Sequence, residues 1–311
     1  MKVAFAGTPG FAATILRGLL DSDHEVGLVI SQPDARRGRG RKLSTPPVAG
    51  LADSAGLDLV QPERIGEVAN LIEAHDALVV AAYGQILRPD TLYAAEKGAW
   101  NVHASLLPAY RGAAPIERAI MNGEEETGVS IMRMDEGLDT GPVALQKKVR
   151  IHPDANAGEL TEAIAAAGAE AIVETLTLVE RDAVALAAQD ESRATYAPKL
   201  TAEDRVIRWD GSAKKIHDQV RALAPRIGVR TFHPAYDGPV KILRSRVVDD
   251  QDKLGHVGAQ VGHIFSAKER MLVQCGEGGL QVDELQVPGG RPVEAREFLR
   301  GNKLGGAFTD P

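Results

Sequence analysis

From Ala77 to Tyr83, in "DALVVAAY" (76–83), apolar residue follows apolar residue. Successive side chains of a strand point to opposite faces, so an unbroken apolar run needs a sheet covered on both sides, as parallel sheets are. The same signature appears outward along the chain in "KVAFAG" (2–7), "EVGLVIS" (25–31), the short "LDLVQP" (57–62) and "GAWNVH" (98–103). Helical stretches at 10–20, 46–56 and 64–74 lie between them, the second opened by Pro46 and Pro47. Alternation of this kind is the pattern of βαβ units, and the expected fold class is α/β with an open sheet buried on both faces.

Open α/β sheets place their sites at the carboxyl ends of the strands. "GAWNVH" ends with Asn101 and His103, which at spacing i, i+2 share one side of a strand while Val102 faces the packing. Two polar groups delivered together can address one substrate atom. Pro108 keeps Leu107 out of helical geometry, so "SLLP" (105–108) is expected to be an extended loop with Leu106 and Leu107 as an apolar wall. Downstream, "GVSIMRMDEGLDTGPV" (128–143) reads as a strand running into a Gly-rich turn that carries Asp139. Asp139 is expected to come close to His103, keep it charged and orient it, forming an acid–base pair beside an amide donor.

The 311 residues suit two domains, and 44% hydrophobic with 25% charged residues is ordinary for a globular chain. No apolar run approaches the length of a membrane span, and "MKVAFAGTPGF" lacks the h-region of a signal peptide. Cys275, the single cysteine, fits a reducing compartment, and the expectation is a cytoplasmic protein without a membrane partner. Scattered histidines without ligand spacing imply no metal. The absence of G-x-G-x-x-G and of Gly-Lys-Ser/Thr implies no NAD and no ATP. A net charge of −7 excludes a generally sticky polyanion binder, yet "DARRGRGRK" (34–42) gathers Arg36, Arg37, Arg39, Arg41 and Lys42 among glycines. It reads as a flexible basic loop able to follow a phosphate backbone.

From about residue 207 the pattern changes. A helix over 212–223 is followed by short alternating segments near 239–248, 257–265, 270–274 and 279–287, and by a helical "PVEAREFLRGNK" (292–303). A small β-barrel of OB type fits, a module that often binds nucleic acid. The expected division is 1–188 for the catalytic domain, 189–206 for a linker and 207–311 for the barrel.

"FAGTP" (5–9), "QPD" followed by "GRGRKL", "AAYGQIL" (81–87), "NVHASLLPAYRGAAPI", "GLDTGPV" and "TYAPKL" (195–200) together resemble the methionyl-tRNA formyltransferases, within the family that uses 10-formyltetrahydrofolate. The resemblance spans nearly the whole chain and implies an N-terminal Rossmann-like domain that holds folate and catalysis, a linker, and a C-terminal β-barrel of OB type that helps hold tRNA. It implies transfer of a formyl group to the amino group of methionyl-initiator tRNA, with 10-formyltetrahydrofolate as donor, by a protein read as a monomer. Asn101, His103 and Asp139 would be catalytic. Ser105, Leu106, Leu107, Pro108, Tyr83, Gly84 and Ile86 would meet the folate, and Arg36, Arg37, Arg39, Arg41 and Lys42 the tRNA. Gly10 and the segment "RALAPRIGVRTF" (221–232) depart from the family's usual pattern. The readings that compete are formylation of a nucleotide-linked amino sugar and a non-catalytic RNA-binding protein, which would have no use for Asn101, His103 and Asp139.

Overall fold

The computed structural model describes residues 1–37, 42–248, 260–267, 269–302 and 304–310, and the chain divides into two compact units. Unit one comprises Met1–Pro115, Glu126–Arg150 and Thr161–Ala197; unit two comprises Ile116–Glu125, Ile151–Leu160 and Pro198–Pro311.

The first elements are β1 (Lys2–Gly7), α1 (Gly10–Leu20), β2 (Glu25–Ile30), β3 (Ala35–Arg37), β4 (Lys42–Ser44), α2 (Pro47–Ala55) and β5 (Leu59–Val60). Then come α3 (Ala69–Ile72), β6 (Ala77–Ala81), α4 (Pro89–Leu92), β7 (Ala99–His103), β8 (Arg111–Gly112) and α5 (Pro115–Met121). β9 (Glu126–Arg133), β10 (Val143–Arg150), α6 (Ala157–Glu180) and β11 (Tyr196–Ala197) complete this part. The main sheet runs β10-β9-β7-β6-β1-β2-β5. Its five strands from β5 to β7 are parallel, and β9 and β10 add an antiparallel edge. Strand order reverses between β1 and β6, where a doubly wound sheet opens its crevice.

The apolar strands are buried as their composition demands: Val3, Phe5, Ile30, Leu78 and Val79 are inaccessible. Burial of that apolar area is the main driving force for the unit. Small residues let the helices approach. A side chain at Gly18 of α1 would meet Ala169 Cβ at 2.7 Å, and one at Gly168 of α6 would meet Val102 Cγ1 at 2.9 Å. The basic stretch departs from its expected form, because Ala35–Arg37 and Lys42–Ser44 pair as antiparallel strands instead of forming a free loop. At the base of this hairpin Asp34 accepts hydrogen bonds from Thr45 Oγ1 (3.0 Å) and Gln61 Nε2 (3.1 Å), which anchors it.

Unit two holds α7 (Ala213–Leu223), β12 (Val229–Thr231), β13 (Val240–Val248), β14 (Ile264–Ala267), β15 (Arg270–Gln274), β16 (Gly279–Gln286), β17 (Val293–Glu294) and α8 (Ala295–Gly301). The antiparallel order is β12-β13-β16-β15-β14, with β17 on β16. The tail then bridges both edges: Thr309 pairs with Phe232 beyond β12, and Ala307 with His263 before β14. The sheet is thereby closed, as the barrel expectation requires. Inside, Trp209 stacks on Phe308 with centroids 5.6 Å apart and donates from Nε1 to Thr231 Oγ1. No helix among the described residues is long and apolar enough to cross a membrane.

Candidate active site

β7 is held between β6 and β9, with Asn101 opposite Val80 and Met132 and His103 opposite Ser130. Val102 points at Gly168 of α6, so Asn101 and His103 share the other side. The loop after β9 brings the third group. Asp135 Oδ1 accepts from Gly137 N (3.0 Å) and Thr140 Oγ1 (2.7 Å), closing an Asx turn. A side chain at Gly137 would strike Thr140, and one at Gly141 the Arg133 carbonyl. Asp139 itself has φ +54°, the left-handed region that aspartate tolerates better than most residues.

This turn directs the Asp139 carboxylate at the strand end. Oδ2 accepts from Gly112 N at 2.8 Å, and Oδ1 from Asn101 Nδ2 at 3.4 Å. His103 Nδ1 lies 3.6 Å from Oδ2, within ion-pair range but beyond a hydrogen bond. The other ring nitrogen, Nε2, is 2.9 Å from the carbonyl of Tyr110, which can only accept, so Nε2 carries a hydrogen and Nδ1 is the nitrogen that faces the carboxylate. His103 and Asp139 side chains are 6% and 13% exposed, which strengthens their mutual attraction relative to water. The arrangement offers an amide donor, an imidazole with one free nitrogen and a carboxylate around one point.

Residues 1–176 match the family described as formyl transferase, and residues 199–303 match its C-terminal domain. The chain belongs to the formyltransferase family. This formyltransferase is 61% identical over 308 residues to the methionyl-tRNA formyltransferase of Rubrobacter xylanophilus, covering 99% of each chain. It is 41% identical over 310 residues to that of Desulforamulus reducens, covering 98% of this chain and 96% of the relative. Among solved structures, an N-formyltransferase from Helicobacter canadensis, in complex with folinic acid and dTDP-3-aminofucose, superposes with a TM-score of 0.67. That match covers 91% of this chain and 98% of the other at 17% identity, a likeness of fold.

In this formyltransferase "SLLP" is a tight turn where an extended loop was expected. Leu107–Pro108 is a cis peptide, and Ala109 N closes the turn on Leu106 O at 3.1 Å. Ser130 Oγ donates to Ser105 O, Leu107 N donates to Ser130 Oγ, and Gln146 Nε2 donates to Leu107 O. The turn buries Ser105 and Leu107 and leaves Leu106 and Pro108 half-exposed, so the apolar wall it presents is Leu106 and Pro108. The Tyr83 ring belongs to the core beside Ile30, Leu78 and Val80, and burial pushes its phenol up to about 12. What Tyr83 offers at the sheet's end is backbone, its carbonyl accepting from Thr8 Oγ1 and Gln32 Nε2. Gly84, at φ +93°, and Ile86 are exposed beyond it.

Of the basic residues, Arg36 and Arg37 lie on β3 and Lys42 on β4, whereas Arg39 and Arg41 lie outside the described residues. Among the described residues no cluster of His, Cys, Asp and Glu could hold a metal ion. Sequence reasoning missed Tyr110, Gly112, Arg111 and Gln189. Arg111 is 1% exposed, and its fork grips Glu191 at 2.7 and 2.9 Å, holding that carboxyl below its ordinary range. A charged residue inside the apolar "AYRGAAPI" was the available signal, because a buried guanidinium requires a partner. Residues 189–197, expected within the linker, are hydrogen-bonded into unit one through Arg111, Gly112 and the β8–β11 pairing.

Proposed function

We propose that this formyltransferase moves a formyl group from 10-formyltetrahydrofolate to the free amino group of methionyl-initiator tRNA. The observation that carries the reading is the convergence of Asn101, His103 and Asp139 at one strand end. It occurs in a chain 61% identical along its length to a methionyl-tRNA formyltransferase. Attack of the amine on the formyl carbon forms the new C–N bond and places negative charge on the formyl oxygen. Asn101 Nδ2 and protonated His103 Nδ1 stabilise that oxyanion as preorganised donors. Asp139, directly or through water, takes the proton the amine sheds, and His103 returns one to the folate nitrogen as its C–N bond breaks.

The donor is received by Ser105, Leu106, Leu107, Pro108, Tyr83, Gly84 and Ile86, with Leu106, Pro108 and Ile86 supplying apolar contact and Tyr83 and Gly84 supplying backbone. Arg36, Arg37, Arg39, Arg41 and Lys42 meet tRNA phosphates, and unit two helps hold the tRNA. The test supplies the full chain with 10-formyltetrahydrofolate and either methionyl-initiator tRNA or a nucleotide-linked amino sugar. Formylation of the tRNA is expected, and the R39A/R41A double variant should raise its KM and lower the log–log salt slope by roughly one per lost phosphate contact. Formylation of the sugar alone would overturn the reading, and no transfer to either would favour an RNA-binding protein.

A further inference from the structure

Asp139 is aimed by its backbone, and that backbone is held by one side chain. Gln189 Nε2 donates to the carbonyl of Asp139 at 2.8 Å and to that of Gly141 at 2.7 Å, so a single amide uses both hydrogens on the turn that carries the carboxylate. The orientation of the amide is fixed, because its Oε1 accepts from Arg111 Nε at 3.1 Å and Nη2 at 2.8 Å. Arg111 is locked in turn by the Glu191 fork and by backbone pairing to Thr195. The neighbours of Arg111 reach the same site: Gly112 N binds Asp139 Oδ2, and Tyr110 O binds His103 Nε2. The segment 110–112, braced by 189–197, therefore sets the positions of both titratable groups.

We propose that Gln189 is a positioning residue for transfer, holding the Asp139 turn so that its carboxylate faces the point shared with His103 and Asn101, with Arg111 and Glu191 holding Gln189. The assignment rests on the catalytic role given above to Asp139. Its mark is an effect on turnover rather than on affinity, since Gln189 bonds to the protein's own groups, the Asp139 and Gly141 carbonyls and the Arg111 guanidinium, and leaves the donor and acceptor surfaces intact. A misplacement on the ångström scale at a reacting group costs about a hundredfold.

The deciding experiment is a double-mutant cycle on the full-length enzyme. Gln189→Glu keeps an oxygen toward Arg111 but removes both donors, and Gln189→Met removes them without adding charge. Each is expected to lower kcat about tenfold to a hundredfold, with both KM values within about twofold and a displaced pH–rate profile. In an Asp139→Asn background the same changes should lower kcat no further, because the group being positioned is gone. Undiminished losses in that background, equal effects on KM, or loss of the fold in both variants would assign Gln189 to structure and overturn the proposal. Near wild-type turnover of Asp139→Asn alone is a different result and would overturn the catalytic reading instead.

Discussion

Asp139 and Asp283 are both carboxylates with little exposure, and the partners that hold them are of opposite kinds. Asp283 in unit two, 6% exposed, is gripped by the Arg246 fork at 2.8 and 2.9 Å and by Gln281 Nε2 at 2.7 Å. Both of its oxygens are committed, one of them twice, to partners that include a permanent cation. Asp139 in unit one has one short bond, from a neutral backbone N–H, and one long bond from an amide; its potential cation is an imidazole standing beyond hydrogen-bond reach. A carboxylate locked to a guanidinium gives geometry and stability. One supported by neutral donors beside a titratable ring can accept and return a proton. Burial alone does not separate the two; the nature of the partners does.

The sharpest way to break this contrast is to remove the open site. Asn101→Ala, His103→Ala and Asp139→Ala should each lower turnover by at least about a hundredfold while Tm hardly moves, the scale of a lost oxyanion or acid–base contact. Near wild-type rates in any two would dissolve the distinction. Asp283→Ala should do the reverse, costing about 1.5–3 kcal/mol in urea unfolding through its charge-assisted bonds and leaving kcat unchanged. A large fall in kcat would give unit two a part in the chemistry.

His217 sharpens the comparison through pH. It sits in unit two between Ser245 Oγ and Pro153 O, near Asp154, Asp218 and Arg221, and burial lowers its pKa. A histidine whose folded pKa is depressed resists protonation only when folded. Its contribution is therefore complete above the unfolded value of about 6.5 and is lost as pH falls below it. Unfolding at pH 7.5 and 5.5 should show a smaller loss for His217→Gln than for the unmodified chain; parallel losses would contradict the assignment. The smallest effect belongs to Arg300→Ala. Arg300 forms an exposed fork with Glu269, at 2.9 and 3.0 Å, and its removal should leave Tm unchanged within error.

Legibility in the sequence followed the range of the forces involved. Strand β7 and the shared side of Asn101 and His103 follow from alternation alone, and Asp139 from glycines that a tight turn requires. The β3–β4 hairpin was masked by its composition, because glycines and arginines read as loop while its order comes from cross-strand pairing and the Asp34 anchor. Tyr83 illustrates the limit of resemblance: the residue type was carried over, but a run buried on both faces took the ring into the core. Helix α6, rich in alanine, carries no chemistry and offers motif-led reading nothing to seize. Gln189 stands 50 residues from the carbonyl it holds, in a segment with no periodicity, so only tertiary structure reveals it.

The closing of the second unit by residues 307–309 also has a bearing on kinetics. Phe232 pairs with Thr309 across 77 positions (309 − 232), and His263 with Ala307 across 44 (307 − 263), so the contacts that seal the sheet are among its most distant in sequence. Contacts of high sequence separation form slowly. In a chain made from its amino end, every other strand of the unit emerges before the one that completes it. Until then β14 stands open, as does β12 beyond its bridge to Val206, each a template for pairing with another copy. The hazard for this protein therefore falls in the interval between synthesis of β14 and docking of Phe308.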